Sequence, residues 1–208
     1  KYFLCMATKN GVIKTTELDA YKNIRKSGII AINLDEGDEL RWVKLTDGEQ
    51  KLMVATRKGM SICFDENDAR AIGRTARGVR AITLTEGDEV VGMVIFGNEG
   101  KVLTISEKGY GRRSDVSNYR VQNRGGKGVR CYNITEKTGN VVGVKAVNED
   151  NEIMIINTDG IIIRTECSSI SVQGRITSGV KLINLHDNSK VASIAKVRES
   201  QEEVEKTE

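Results

Sequence analysis

Apolar residues along this chain gather in short blocks rich in valine, isoleucine and threonine, separated by polar turns that end in glycine. The blocks Tyr2 to Thr8, Lys51 to Thr56, Lys101 to Ser106 and Glu152 to Asn157 each run into such a turn: TKNG, TRKG, SEKG and NTDG. A second block follows each turn: Val12 to Thr16, Met60 to Phe64, Tyr110 to Ser114 and Ile161 to Thr165. Two β-prone runs joined by a short glycine-ended turn predict a hairpin. No segment sustains the helical period of about 3.6 residues, which excludes a helical solenoid.

Two glycine series set a longer period. Gly11, Gly59, Gly109 and Gly160 are 48, 50 and 51 residues apart, and Gly28, Gly78, Gly128 and Gly179 are 50, 50 and 51 apart. One residue beyond each second glycine stands Ile29, Val79, Val129 or Val180; four beyond, Ile32, Ile82, Tyr132 or Ile183; six beyond, Leu34, Leu84, Ile134 or Leu185. The residue three beyond, Ala31, Ala81, Cys131 or Leu182, is apolar too, so odd and even offsets both avoid water. This predicts a third strand buried on both faces between neighbouring sheets. After another turn comes a fourth run: Leu40 to Leu45, Val90 to Phe96, Val141 to Val147 and Val191 to Val197. The expected fold is all-β, a propeller-like or pinwheel array of four-stranded blades with four blades in this chain. The repeats span approximately 1–50, 51–100, 101–150 and 151–198, followed by an acidic tail at 199–208.

Composition narrows the chemistry. Proline is absent and the only histidine is His186, so most hydrolase and metal constellations lack their usual base or ligand. Cys5, Cys63, Cys131 and Cys167 show no CxxC spacing, which argues against a zinc site or disulfide framework and fits a reducing, cytoplasmic setting. Neither a leader nor an apolar run of membrane-spanning length is seen. Asp35, Glu36 and His186 are the only candidates for catalysis and all sit in charged turns, so no catalytic residue, metal site or cofactor is assigned. Trp42 and Phe96 read as core fillers of fourth strands.

Charge is the informative feature. The net +3 conceals a tail with five glutamates and one lysine, so residues 1–198 carry +7. The windows KNIRKSGII (22–30), IGRTARGVR (72–80), QNRGGKGVR (122–130) and QGRITSGVK (173–181) surround the second glycines. They hold eleven of the 32 lysines and arginines and contain neither aspartate nor glutamate. Arg70, Arg112, Arg113 and Arg120 lie close enough in sequence to extend the set. The acids gather one turn later, at Asp35, Glu36, Asp38 and Glu39 and their counterparts. That turn is expected at the far end of the third strand, about 20 Å away at roughly 3.3 Å per residue.

In a radial array, equivalent loops fall on one rim, so the basic windows predict a cationic stripe for a curved polyanion, duplex DNA above all. Arginine offers bidentate contact to phosphate, and glycine exposes backbone N–H groups. Aromatics number only nine, and only Tyr21 and Tyr119 lie near the windows, which favours sequence-independent backbone contact over base stacking. The expected DNA-binding residues are Lys22, Arg25, Lys26, Arg74, Arg77, Arg80, Arg120, Gln122, Arg124, Gly125, Gly126, Lys127, Gly128, Arg130, Arg175 and Lys181.

The run QNRGGKG at Gln122 to Gly128 resembles the gyrase box, Gln-Arg-Arg-Gly-Gly-Lys/Arg-Gly, of the gyrase A C-terminal domain, with Asn123 in place of the first arginine. The GDEL turn at Gly37 to Leu40 and the run GYGRRSDVSNY at Gly109 to Tyr119 are similar to that domain as well. Family members usually have six blades with the box on the first, so the resemblance implies the last four blades, with the principal box upstream. It further implies a non-catalytic domain of DNA gyrase that wraps duplex DNA around its basic perimeter so that the holoenzyme introduces negative supercoils. The implied partners are duplex DNA, the gyrase B protein and the remainder of the gyrase A protein, with ATP and Mg2+ used elsewhere in the enzyme. The equivalent DNA-bending domain of topoisomerase IV and a protein-interaction propeller are the alternatives.

Overall fold

The computed structural model describes residues 1–197, so the acidic tail expected at 199–208 lies outside the described residues. Each hairpin block forms a pair of antiparallel strands: β1 (Phe3–Thr8) with β2 (Val12–Glu17), and β4 (Lys51–Thr56) with β5 (Met60–Asp65). The later pairs are β8 (Lys101–Ser106) with β9 (Tyr110–Asp115), and β12 (Glu152–Asn157) with β13 (Ile162–Glu166). The fourth runs form β3 (Leu40–Thr46), β7 (Val90–Phe96), β11 (Val141–Val147) and β15 (Val191–Lys196), which pair on the other side of β1, β4, β8 and β12.

The third run departs from expectation. Only two residues of it pair as strand, in β6 (Val79–Arg80), β10 (Val129–Arg130) and β14 (Val180–Lys181). Moreover, they pair with the preceding repeat: β6 with β2, β10 with β5 and β14 with β9. The sheets are therefore β3-β1-β2-β6, β7-β4-β5-β10, β11-β8-β9-β14 and a three-stranded β15-β12-β13. Every four-stranded blade takes its outermost strand from the next repeat. The reason the run is apolar at odd and even offsets is that it crosses between two sheets; the rest of it is irregular, with Ile82, Tyr132 and Ile183 buried at the crossings. Ile30 and Leu34 of the first repeat, with no preceding sheet among the described residues to cross to, stay exposed.

Three apolar cores fill the junctions between successive sheets. In β4, Leu52 and Val54 enter the core shared with the first blade, whereas Met53 and Ala55 enter the one shared with the third. A strand with a sheet on each side has no wet face, so alternation disappears. It returns in β12, where Ile153 and Ile155 are buried while Met154 and Ile156 are only partly so. Phe96 lies in a core as expected, while Trp42 packs against one only in part. All four cysteines are buried free thiols; burial pushes Cys5 up to about 12 and Cys63 and Cys131 up to about 11. The innermost strands β3, β7, β11 and β15 together line an axial cleft of about 490 Å3.

Candidate nucleic-acid interface

Each basic window after the first straddles the outer edge of the preceding blade. It enters through a single parallel bridge, Ala71 beside Thr15, Val121 beside Cys63 and Val172 beside Arg113, and leaves as the outermost antiparallel strand. The same amide repeats at the entry: Ile72 N–H donates to Thr15 O at 2.9 Å, Gln122 to Cys63 at 2.9 Å and Gln173 to Arg113 at 2.8 Å. The second glycine is what lets the loop sit so close. A Cβ on Gly78 would stand 2.6 Å from Ile13 O, on Gly128 2.1 Å from Ser61 O and on Gly179 2.2 Å from Gly111 O. All three also hold positive φ, which only glycine adopts without strain. The loops consequently occupy equivalent places on successive blades, on one rim of the array.

Within the loops the cations divide into two kinds. Arg74, Arg124 and Arg175, four residues before the glycine, are half-buried and reach back to the previous repeat. Arg124 Nη1 donates to Arg80 O at 2.8 Å, and Arg74 and Arg175 make the same bond to Ile30 O and Arg130 O. Arg124 Nε also donates to Asp68 O at 3.0 Å and Arg175 Nε to Asn118 O at 3.1 Å. These three arginines lock one loop onto the next, each through one or two guanidinium nitrogens bonded to backbone carbonyls. The other expected residues face outward: Lys22, Arg25, Lys26, Arg77, Arg80, Arg120, Lys127, Arg130 and Lys181 are exposed. Gly126 is exposed and Gln122, Gly125 and Gly128 are half-buried, with Gln122 Oε1 accepting from Arg120 Nε at 3.2 Å. The first window, which carries Lys22, Arg25 and Lys26, pairs with no strand among the described residues.

Two expectations are corrected here. Arg112 and Arg113 do not extend the rim: they are 0% and 4% exposed, and Arg113 pairs with Glu149 at 2.8 Å. Their side chains point inward from β9, a strand packed between sheets. Nor is every residue of the acidic turns remote from the basic loops. Because the third run is a crossing and not a straight strand, Asp35 meets Arg77 of the next repeat at 2.5 Å. The guanidinium holds the Asp35 carboxyl below its ordinary range, and the carboxylate raises Arg77 in turn. Asp35, Arg77, Arg80, Arg124 and Gly125 line a rim cleft of about 450 Å3 between the second and third loops. Apart from Arg77, the ion pairs found among the described residues reach the windows only at Lys22, 3.8 Å from Asp19.

Sequence reasoning overlooked Lys14, which is 1% exposed and whose Nζ donates inward to Ala31 O at 2.6 Å. Burial, and then the nearby Arg74 charge, push its pKa below the ordinary lysine value. Its signal was available: Lys14 and Arg112 stand three residues beyond a first glycine, where Ile62 and Ile163 stand in the other repeats.

All four repeats match the family model for the DNA gyrase C-terminal domain, β-propeller, at residues 2–47, 50–96, 100–148 and 151–198. The chain belongs to that family. It is 56% identical over 207 residues to the DNA gyrase A protein of Halalkalibacterium halodurans, covering 100% of this chain and 25% of that protein. The corresponding protein of Leptospira biflexa is 56% identical over 198 residues, covering 95% of this chain and 24% of that protein. The chain thus spans about a quarter of the curated relatives it matches. A solved gyrase A C-terminal domain superposes with TM-score 0.84 at 30% identity, covering 94% of this chain and 65% of that one. The C-terminal domain of a DNA topoisomerase IV superposes with TM-score 0.89 at 25% identity, covering 94% and 62%. Among the described residues no helix is long and apolar enough to cross a membrane, and no group of histidine, cysteine or acidic side chains is placed to hold a metal.

Proposed function

We propose that this chain is a non-catalytic DNA-wrapping segment of a gyrase A protein, gripping duplex DNA by its phosphates along the basic rim. The carrying observation is that three acid-free loops sit at equivalent places on successive blades, each presenting outward cations. Arg77, Arg80, Lys127, Arg130 and Lys181 are the phosphate-contacting groups in this reading, with Lys22, Arg25, Lys26 and Arg120 extending the path. Arg74, Arg124 and Arg175 serve by fixing loop geometry. A duplex that follows several blades must bend, and bending 20–30 base pairs by 40–90° costs on the order of 1–6 kcal/mol. Counterion release at several phosphates offsets that cost, which one blade alone could not do.

On this reading the domain works in the cytoplasm alongside the gyrase B protein and the rest of the gyrase A protein. ATP and Mg2+ act elsewhere in the enzyme, and the wrapped segment feeds the reaction that introduces negative supercoils. The closer superposition on the topoisomerase IV domain supports a second reading, a DNA-bending domain with less wrap. Fluorescence anisotropy with a linear duplex across a salt series tests the proposal. Log K should fall against log salt with a slope of about −0.9 per phosphate contact, and replacing Arg80, Lys127, Arg130 and Lys181 by glutamine should flatten it stepwise. A flat salt response in the unmodified chain overturns it. Energy-transfer probes at the duplex ends separate the two readings by the end-to-end shortening.

A further inference from the structure

Three carbonyls occupy one place under the rim: Ala31, Ala81 and Cys131, each three residues beyond a second glycine. Each accepts a hydrogen bond that ties it to the basic loop of the next repeat, yet the donors differ. Under loop 72–80, Lys14 Nζ donates to Ala31 O at 2.6 Å and to Arg74 O. Under loop 173–181, Arg112 Nη2 donates to Cys131 O and to Arg175 O, while Nε donates to Thr177 Oγ1 at 3.0 Å and Gly174 O at 3.1 Å. In the second repeat Ile62 holds the corresponding position and offers no donor. There the loop turns its own backbone inward: Gly125, at φ +91°, donates its N–H to Ala81 O at 2.7 Å. Thr83 then holds the loop from the other side, with its hydroxyl on Gly125 O at 2.6 Å and its amide on Gly126 O at 2.8 Å.

Neither buried cation forms an ion pair among the described residues. Burying a charge against neutral carbonyls is unfavourable unless its hydrogen bonds are satisfied. Two repeats nevertheless do so at the same offset and on the same pair of carbonyls, one from the crossing run and one from the loop. Where Ile62 stands instead, in the second repeat, the same requirement is met by Gly125, a loop glycine whose positive φ other residues resist. A shared carbonyl with interchangeable donors points to a requirement on where the loop sits.

We propose that Lys14 and Arg112 are positioning residues of the rim: braces that hold loops 72–80 and 173–181 from within, with Gly125 performing the same task for loop 122–130. They touch no phosphate. They set where Arg77, Arg80 and Lys181 stand, so the consequence for DNA rests on the wrapping reading above, while the consequence for the loops does not.

Amide hydrogen exchange on the full chain without DNA tests the brace, using Lys14→Met, Arg112→Met and the conservative pair Lys14→Arg and Arg112→Lys. Exchange should rise about tenfold at the amides that tie each loop down, Ile72, Ala76 and Asn33 in Lys14→Met and Gln173, Asn133 and Leu182 in Arg112→Met, with Gln122 and Gly125 unchanged. The conservative variants should restore protection, and Gly125→Ala should loosen 123–128 alone. In duplex titrations Lys14→Met should weaken binding about threefold to tenfold with the log K–log salt slope unchanged. Loss of a phosphate contact would flatten that slope by about 0.9. Unchanged exchange in both methionine variants, or a flattened slope with the loops still protected, overturns the proposal. Should a methionine variant fail to fold, Gly125→Ala decides alone: exchange that rises nowhere, or equally in every loop, overturns it. If the unmodified chain binds no duplex, the wrapping reading fails and the exchange pattern still tests the brace.

Discussion

An arginine in a basic loop is not automatically a phosphate ligand. Arg124 and Lys127 are three residues apart in one loop, yet the first bonds Arg80 O and Asp68 O through Nη1 and Nε while the second is exposed. Spacing from the glycine decides which is which, because the residue four positions before it points back at the preceding repeat. Arg77 is an intermediate case, outward-facing but paired with Asp35, both side chains partly exposed. Since Arg77 holds the Asp35 carboxyl below its usual range, the pair is intact at neutral pH and loosens only as acid protonates Asp35. Asp35→Asn should therefore release Arg77 to the rim without removing any packing. Duplex affinity at low salt should rise, and the slope of log K on log salt should steepen by up to about 0.9, one phosphate contact. Anisotropy titrations at several salt concentrations read both quantities; an unchanged slope would mean that Asp35 does not withhold Arg77 from the DNA.

At the scale of elements, the second glycine and the exchanged outer strand form one device. The loop must pass within van der Waals distance of the preceding strand before pairing with it, and at Gly128 that leaves no room for a Cβ beside Ser61 O. Gly28, with the same sign of φ at +81°, has nothing within 4 Å of its Cβ position. Alanine at the two positions separates sterics from backbone conformation. Gly28→Ala should cost about 1 kcal/mol, the left-handed penalty alone. Gly128→Ala adds a clash with backbone and should reach roughly 3 kcal/mol, within the range that strained backbone positions produce. Urea denaturation of the two variants gives the comparison; equal costs would show that the close approach of loop and strand is relaxed in solution.

Across the whole molecule, four sheets share three cores, so the second and third blades are covered on both faces and the first and last on one. Exchange of one strand per junction ties the blades further, since opening any junction breaks both core contacts and a strand pair. Amide exchange in the absence of DNA should accordingly be slowest in β4, β5, β8 and β9 and faster in β12 and β13, with a gap of at least about tenfold. Uniform protection across all four sheets would indicate that the outer faces are covered in solution. For DNA, the same arrangement presents the outward cations as a stiff row, so the cost of curvature falls on the duplex and not on the protein.

Much was legible in the amino-acid order. The period near 50, the hairpins to within a residue or two and the inner strands follow from β-prone blocks broken by glycine-ended turns. The two basic-loop features that need only composition, absence of acids and recurrence, were equally readable. Sheet membership was not, because Val79, Val129 and Val180 carry the same apolar signature whether they pair with their own repeat or the previous one. Pairing partners are chosen by which edge is open after the chain turns, and that depends on contacts between residues some 50–70 positions apart, such as Val12 with Arg80. The fates of Lys14, Arg112 and Arg124 were hidden for the same reason: a charge is free or committed according to the carbonyls that face it. Local order thus determines which segments become strands and turns, through β-branched and apolar blocks and the backbone freedom of glycine. Only the folded array decides which cations meet solvent, since burial and hydrogen bonding are properties of the neighbours a residue acquires.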